Sequence, residues 1–555
     1  MERNLLYRET SRLNRHFEQP FMATTTEKPY SGLDLHQGDS DSDRIYEGRK
    51  RTDVKSNPVR QLQNDLRTLG IGLGGTPDGG FGFNTECAVR EFQIYAKMPK
   101  IALQIQGAYL IYGDTLIAVT NTDIYKGDID GVVNSEVRRL IQVWLNNSWR
   151  IPVIVQAWTI KNDVQNKIFN GYDNIWKYDE VKSNTPRMYV KDLSGYYTIP
   201  TSKSANAIVL GDYAPYSSWG GPRSEGASRS WNETEITPNS LLGKSLAALS
   251  VSERSTFMVI RAVSKVECEG YLDRMNAYDN AFVSFGPFHW VLGLINDSRT
   301  KVGGGEVASY IAYLKEKDKL TFDKAFGFFG LDITPTWNTS GQSFFYSGGI
   351  RNYGKGRPAM KQGTFLKPMP DDKTGIDFGN YFRNWHWFYR FVMAARTIPN
   401  FTKYIWDFAR LRIRDISSIS IKNLGFTDSN GHLKEPNIAE IFTSERAFAL
   451  ILRLHVRYPA HVANLNNQDT GLNTILKNSL AQMRKEHLEI KDFSKWGQRH
   501  QEILVDNMID YYPTTKGIRQ TLETVRDFSY SANRLSISSN SFLFNSNNLS
   551  TPPQY

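Results

Sequence analysis

The chain has 555 residues, 40% hydrophobic and 13% aromatic, with a formal net charge of +10. That length accommodates about three or four domains of roughly 150 residues, and the apolar content excludes a disordered chain. Two cysteines, Cys87 and Cys268, exclude a disulfide framework or a cysteine-rich zinc site and suit folding in a reducing compartment.

The basic balance fits plain solubility, or attraction to a polyanion such as nucleic acid or an acidic cell wall. The stretch from Met1 to Thr10 has no apolar core of a signal peptide. No run approaches the ~18 apolar residues that span a bilayer. The expectation is synthesis in the cytoplasm and delivery by another route. Residues 1–54 are polar, with Gly38-Asp39-Ser40-Asp41-Ser42-Asp43 followed by Arg49-Lys50-Arg51, and read as a leader or tether.

From Asn57 the pattern is helical. Val59, Leu62, Leu66 and Leu69 fall on one face and Gly70 closes the helix. A Gly-rich turn through Asp78-Gly79 leads to a second helix beginning near Asn84-Thr85, with Ala88, Val89 and Phe92 on one face. The run Val59, Leu62, Gln63, Leu66, Leu69-Gly70, Asp78-Gly79, Phe81-Gly82, Thr85, Ala88-Val89, Phe92-Gln93 resembles the small helical peptidoglycan-binding module of wall hydrolases. The resemblance implies a three-helix fold that grips wall polymer in a shallow groove, with Asp78, Phe81 and Thr85 as its substrate-binding positions.

Two β-rich runs follow between Gln106 and Val119. Asp128-Ile129-Asp130-Gly131, Asn134, Val137, Ile141 and Trp144 then repeat the Asp-Gly turn and helix, so the binding region is placed at 55–155. Residues 156–245 are rich in aromatics, Thr and Ser broken by turns, and read as a β-rich linking region.

Ser250 and Glu253 fit a capping box. Phe257, Val259, Ile260, Val263 and Val266 give the helix they open a wide apolar face, and Gly270 supplies a left-handed stop. Glu269 at that helix end is opposed by the negative end of the helix dipole, which favours its protonated form. A carboxylic acid held neutral beside an ionised partner is what proton donation to a glycosidic oxygen requires. Asp279 is the candidate partner, and Ser284 the candidate hydroxyl for a water or the sugar. Glu267 competes for the acid role but points elsewhere on the helix. Asp273 reads as a solvated turn carboxylate and His289 as a structural histidine, with no zinc-ligand spacing beside it.

Glu269-Gly270, Tyr278-Asp279 and Ser284-Phe285-Gly286 resemble the active-site layout of phage-type lysozymes. Ser replaces that family's Thr, and the spacing from Glu to Asp is about one residue longer. By this resemblance Glu269 is the acid, Asp279 the second carboxylate and Ser284 the hydroxyl. The Gly303-Gly304-Gly305 run lacks the Gly-Lys-Ser/Thr ending of a phosphate loop and reads as a loop before a helix. Residues 340–376 read as a lip over a cleft. Helices are predicted from about Tyr381, over Thr402–Asp415, and over Ala439–Tyr458, with Arg410, Arg412 and Arg414 as rim charges and a loosely held tail at 531–555.

The expected fold class is mainly α and multidomain: a three-helix module, a β-rich middle and a large α+β lysozyme-like catalytic domain over 246–530. The expected function is an N-acetylmuramidase directed to peptidoglycan, without metal or cofactor. The rivals are a lytic transglycosylase and a wall-binding protein with an inactive lysozyme fold. Nucleic-acid binding explains neither motif. The missing signal suggests a phage lysis enzyme or a type VI-like secreted effector, acting in the periplasm or wall, with a secretion carrier and an immunity protein as partners.

Overall fold

Pro58 opens α1 (Pro58–Thr68) at the first helical turn, where its missing N–H costs nothing. In the computed structural model the described residues are 34–41, 57–71, 77–103, 117–161, 164–170, 187–192, 208–213, 227–230, 233–276, 283–291, 306–327, 331–334, 359–362, 385–463, 471–546 and 549. Helix α2 (Phe83–Ala96) starts one residue before the expected caps, with Gly82 as its N-cap. Helix α3 (Ser135–Asn146) is capped by Asn134, whose side chain accepts from the Val137 N–H. The three close on a core of Val59, Leu62, Leu66, Phe92, Val137, Leu140, Ile141 and Trp144, all fully buried. Phe92 meets Trp144 edge-on at 5.2 Å between centroids. Between α2 and α3 the chain makes β1 (Lys100–Leu103) and β2 (Ile117–Thr120), and after α3 it adds β3 (Trp149–Arg150), giving a small sheet ordered β2-β1-β3.

The repeat of the Asp-Gly turn is a repeat of hydrogen bonds. Gln63 on α1 accepts from the Gly79 N–H at 2.9 Å and donates to Asp78 and to the Gly80 carbonyl. Gln93 on α2 accepts from the Gly131 N–H at 2.9 Å and donates to Asp130 and to the Val132 carbonyl. Each helix thus latches the turn that leads to the next.

Residues 34–41, assigned from sequence to a tether, pack across both turns instead. Leu35 pairs with Val133 and Ser40 with Gly80, and Asp41 accepts from the Val59 and Arg60 N–H groups at the start of α1. An Asp at a helix start offsets donors that have no intrahelical partner, which gives this polar stretch its place.

Beyond the module an eight-stranded sheet runs in the order β11-β10-β9-β8-β7-β6-β4-β5. Its strands are β4 (Val153–Lys161), β5 (Val164–Asn170), β6 (Arg187–Asp192), β7 (Ile208–Tyr213), β8 (Ala227–Ser230), β9 (Met275–Asn276), β10 (Ser284–Phe285) and β11 (Trp290–Val291). Neighbours pair antiparallel, and Arg229 on β8 faces Asn276 on β9. The sheet therefore crosses residue 245, where a domain boundary was expected. The turn-rich sequence between strands marked ends of strands, not the end of a folding unit.

Two helices lie between β8 and β9: the short α4 (Pro238–Leu242) and the long α5 (Val251–Cys268). After the sheet come α6 (Glu306–Lys317), α7 (Lys319–Ala325), the strand pair β12 (Leu331–Thr334) and β13 (Ala359–Gln362), and α8 (Trp385–Thr397). Then follow α9 (Pro399–Ser417), α10 (Ile438–Ile441), α11 (Glu445–Arg457), α12 (Pro459–Ala463), α13 (Leu472–Lys485), α14 (Gln498–Asp510) and α15 (Gly517–Arg526). The helix expected over Ala439–Tyr458 is broken between Phe442 and Ser444, where Ser444 caps α11. Apart from β13, the stretch 340–376 lies outside the described residues.

Two expectations about charge and tail are corrected. Arg412 is 1% exposed; it donates to Glu306 at 2.8 Å and to the His455 carbonyl at 2.9 Å, so it ties α9 to α6 and α11. Alternation along the sequence placed it on a rim, but a helix face turned to two neighbours gives a guanidinium enough partners to be buried. The tail is anchored as far as Asn545. Phe542 stacks on Phe448 at 3.9 Å, and the Leu543 N–H donates to Ser255 on α5.

Candidate functional site

Helix α5 begins at the expected capping box, with Ser250 and Glu253 exchanging side-chain-to-backbone bonds. Residues 255–264 are all buried along it. The helix ends with two N–H groups, those of Glu269 and Gly270, reaching back to the Ser264 carbonyl, Gly270 at 3.0 Å. Glu269 itself takes the left-handed conformation, with φ 56° and ψ 13°, and Gly270 follows with φ 82°. The expectation gave the left-handed position to Gly270 alone. An L-residue there costs about 1–2 kcal/mol.

The Glu269 side chain is 55% exposed and forms an ion pair with Arg274, whose side chain is 11% exposed. The guanidinium offsets the negative helix end. The free protein thus holds Glu269 as one half of an ion pair, where the helix-end argument expected a carboxyl kept neutral. Arg274 also faces His289. Burial, with Arg274 adding to it, pushes the His289 imidazole down to about 4. His289 sits at φ 52° in the tight turn between β10 and β11.

Glu267 points to the other side of the helix, as expected from its spacing. It pairs with Arg453 on α11. Burial raises its carboxyl above the ordinary range, while Arg453, Arg457 and Arg412 pull it back. Cys268 is fully buried, with its thiol pushed up to about 12 by burial. It donates to the Ser264 and Pro287 carbonyls and is no nucleophile in that state.

The loop from Gly270 to β9 is held from below by a buried carboxylate. Asp273 is 0% exposed; it accepts from the Glu233 and Thr234 N–H groups and from Arg396 Nε at 2.7 Å. Sequence reading made it a solvated turn residue, and the structure corrects that. The Leu272-Asp273-Arg274 run gave no sign of this, because the partners lie 39 to 123 residues away. Backbone pairing adds to the hold: the Ile236 N–H donates to the Gly270 carbonyl, and the Leu272 N–H to the Thr234 carbonyl. Gly270 is further fixed by Arg261, whose guanidinium lies 1.9 Å from where a Cβ would stand.

Ser284 lies on β10 opposite Asn276 of β9 and Val291 of β11, and is 3% exposed. Asp279 falls in the link between β9 and β10, outside the described residues. The structure thus places Glu269 at the end of α5 and Ser284 on β10, between β9 and β11, with Arg274 as the residue sequence reading missed. Among the described residues no group of three or more His, Cys, Asp or Glu is placed to hold a metal ion, and no helix is long and apolar enough to cross a membrane.

In the module, two of the three expected substrate positions turn out to be internal. Phe81 is 1% exposed and Thr85 3% exposed. The Thr85 hydroxyl accepts from Gln63 at 3.1 Å. Asp78 is exposed but serves the latch, accepting from Gln63 and from the Gly80 N–H at 2.9 Å. A buried ring offers no face to a polymer, so Phe81 and Thr85 shape the turn and do not touch a ligand.

Residues 55–100 match the family described as "Putative peptidoglycan binding domain". No curated protein matches the chain, and no solved structure does. The matched segment spans α1, the first latched turn and α2, which makes this part of the chain a peptidoglycan-binding module and associates the protein with the cell wall.

Proposed function

We propose that this protein is a wall-directed glycosidase, an N-acetylmuramidase in which the module concentrates the chain on peptidoglycan and Glu269 protonates the leaving oxygen. The reading is carried by the conjunction of a peptidoglycan-binding module at 55–100 with a carboxylate held at a helix end just before a β-hairpin. Asp279 is the second carboxylate, stabilising oxocarbenium-like charge or activating water, and Ser284, 3% exposed on β10, is the hydroxyl that would hold a water and not the sugar itself. Arg274 holds Glu269 in the free state, so substrate entry has to exchange that ion pair for contact with the glycosidic oxygen. A carrier that delivers the chain to the wall and an immunity protein that restrains it belong to the same reading.

A second reading has its own support. An exposed, ion-paired Glu269 is also what a wall-binding protein without catalysis would show. Turbidity of purified sacculi separates the two. Wild type is expected to clear them and Glu269→Gln to fail. Clearing at the wild-type rate by Glu269→Gln removes the residue assignment, and no clearing by wild type favours the binding protein. Reducing muramic ends in the digest identify hydrolysis, whereas 1,6-anhydro ends identify a lytic transglycosylase.

A further inference from the structure

Helices α5 and α11 run side by side in the same direction. Ser541 of the tail bridges their starts, its carbonyl accepting from the Ser255 hydroxyl and its own hydroxyl from the Glu445 N–H. Glu267 pairs with Arg453 near their ends. The end of α11 therefore lies at the same end of the body as Glu269. Tyr458 follows directly after α11, about 7–8 Å beyond Arg453 along the helix axis.

Three rings are layered at this end. His461 Nδ1 and the Tyr512 hydroxyl are hydrogen-bonded at 2.9 Å, and their rings, 9° from parallel with centroids 6.2 Å apart, lie side by side in one layer. Tyr458 is 5.0 Å from His461 at 26° and 6.3 Å from Tyr512 at 17°. Rings that near and that parallel overlap in the offset-stacked manner, so Tyr458 covers the joint between the other two. Tyr511 braces the layer edge-on, 4.9 Å from Tyr512, and its hydroxyl accepts from the Gly471 N–H. Tyr512 is 6% exposed, whereas Tyr458 keeps 36%. Held from beneath, the Tyr458 ring loses little freedom when a ligand covers it.

Arg457 stands beside this ring, its guanidinium carbon 5.9 Å from the Tyr458 centroid. It is exposed, and among the described residues its guanidinium forms no ion pair. An amphipathic ring with an unpaired cation at its rim fits a sugar whose C–H face lies on the tyrosine and an acidic group within reach of the guanidinium. A nucleotide also offers a flat face and an anion. The peptidoglycan-binding module at 55–100 decides between them, because peptidoglycan is a chain of sugars bearing acidic peptide stems.

We propose that Tyr458 is a saccharide subsite for the glycan strand of peptidoglycan, with a sugar stacked on its ring and Arg457 facing a carboxylate of the attached peptide stem. The proposal rests on the wall-directed reading above. It adds a binding surface at the same end of the body as Glu269, apart from the N-terminal module.

Calorimetry tests this on the full chain carrying Glu269→Gln, so that no ligand is cut. The probes are chitotetraose, a neutral sugar chain; a soluble peptidoglycan tetrasaccharide that keeps its stem peptides; and a short oligothymidylate. Both saccharides are expected to bind about tenfold more weakly to Tyr458→Ala, as loss of one aromatic contact implies, and within about twofold of the parent to Tyr458→Phe, which keeps the ring. Arg457→Ala is expected to weaken the peptide-bearing saccharide about fivefold and to leave chitotetraose unchanged. Arg457→Ala alters a surface side chain, so the test survives a failure of Tyr458→Ala to fold. Saccharide binding indifferent to Tyr458→Ala, or peptide-bearing saccharide binding indifferent to Arg457→Ala, overturns the proposal. So does absence of saccharide binding at millimolar concentration. Oligothymidylate bound as tightly, with the same dependence on Tyr458, overturns it in favour of a nucleic-acid contact. Clearing of sacculi by the chain with Glu269 intact is scored separately. Clearing without Tyr458-dependent saccharide binding removes this subsite alone, and Tyr458-dependent binding without clearing supports it while removing the glycosidase.

Discussion

Replacing Glu269 by Gly and by Ala separates what the position does for folding from what it does for chemistry. Both variants delete the ion pair with Arg274, and at 55% exposure that pair contributes little, about 0–1 kcal/mol. They differ in the backbone. With φ at 56°, Ala keeps the left-handed penalty of about 1–2 kcal/mol, whereas Gly removes it and pays about 0.5–1 kcal/mol in unfolded-state entropy. Glu269→Gly is thus expected to be more stable than Glu269→Ala by about 1 kcal/mol, and as stable as wild type. Urea unfolding, followed through the transition that melts α5, reads the difference as a midpoint shift at constant slope. Clearing of sacculi is expected to be lost in both. An Ala variant as stable as the Gly variant would falsify the left-handed assignment. Retained clearing in either would show that Glu269 does not supply the chemistry.

Other consequences follow from the same loop and from the module. Asp273→Asn removes the nearer of two carboxylates on the buried Arg396, leaving Glu233 at 3.5 Å, and is expected to cost about 1–3 kcal/mol; an unchanged melting midpoint would place Asp273 in solvent. His289 is depressed to about 4 from an unfolded value near 6.5, so between those values the unfolded state binds the extra proton. Stability is full above about 6.5 and falls by up to about 3 kcal/mol as pH drops to 4. His289→Asn, which tolerates the left-handed φ, should flatten the thermal midpoint over that window, and an unflattened profile would assign the loss to another group. Gln63→Ala strands the buried Gly79 N–H. It is expected to destabilise the module by about 1–3 kcal/mol and reduce co-sedimentation with sacculi; full retention of both would show that the latch carries no load.

Local patterns were legible where the physics is local. The capping box at Ser250 and Glu253, the end of α5 at Cys268 and the second Asp-Gly turn before α3 all depend on residues within a few positions of one another. Even there, the repeat was visible as spacing, while its cause was not: Gln63 and Gln93 acting as paired latches needs the turns brought back onto the helices. What sequence could not supply is partners far along the chain. The strap at 34–41, the tail on α5 and the sheet that joins β8 to β9 each rest on backbone groups of distant segments, and polar composition says nothing about whether such groups find one another. Buried charge is the same problem in stronger form. Asp273 and Arg412 look like surface residues because ions are rarely buried; only assembled partners make their burial tolerable.

That lesson bears on the site itself. The two carboxylates at the end of α5 divide the properties of a general acid between them. Glu267 has the burial and the raised carboxyl, but Arg453 and the body of the protein enclose it. Glu269 has the access, the strained backbone and the hairpin beside it, but not the desolvation. On the proposed glycosidase reading, access favours Glu269, because a group that substrate cannot reach transfers no proton, whereas an exposed one is desolvated when substrate arrives. The backbone points the same way. A left-handed Glu followed by a left-handed Gly that cannot take a Cβ puts a side chain at a position where a second Gly would carry no local φ penalty. On the proposed reading, a local backbone cost kept at Glu269 where glycine would remove it fits a position held for its carboxylate.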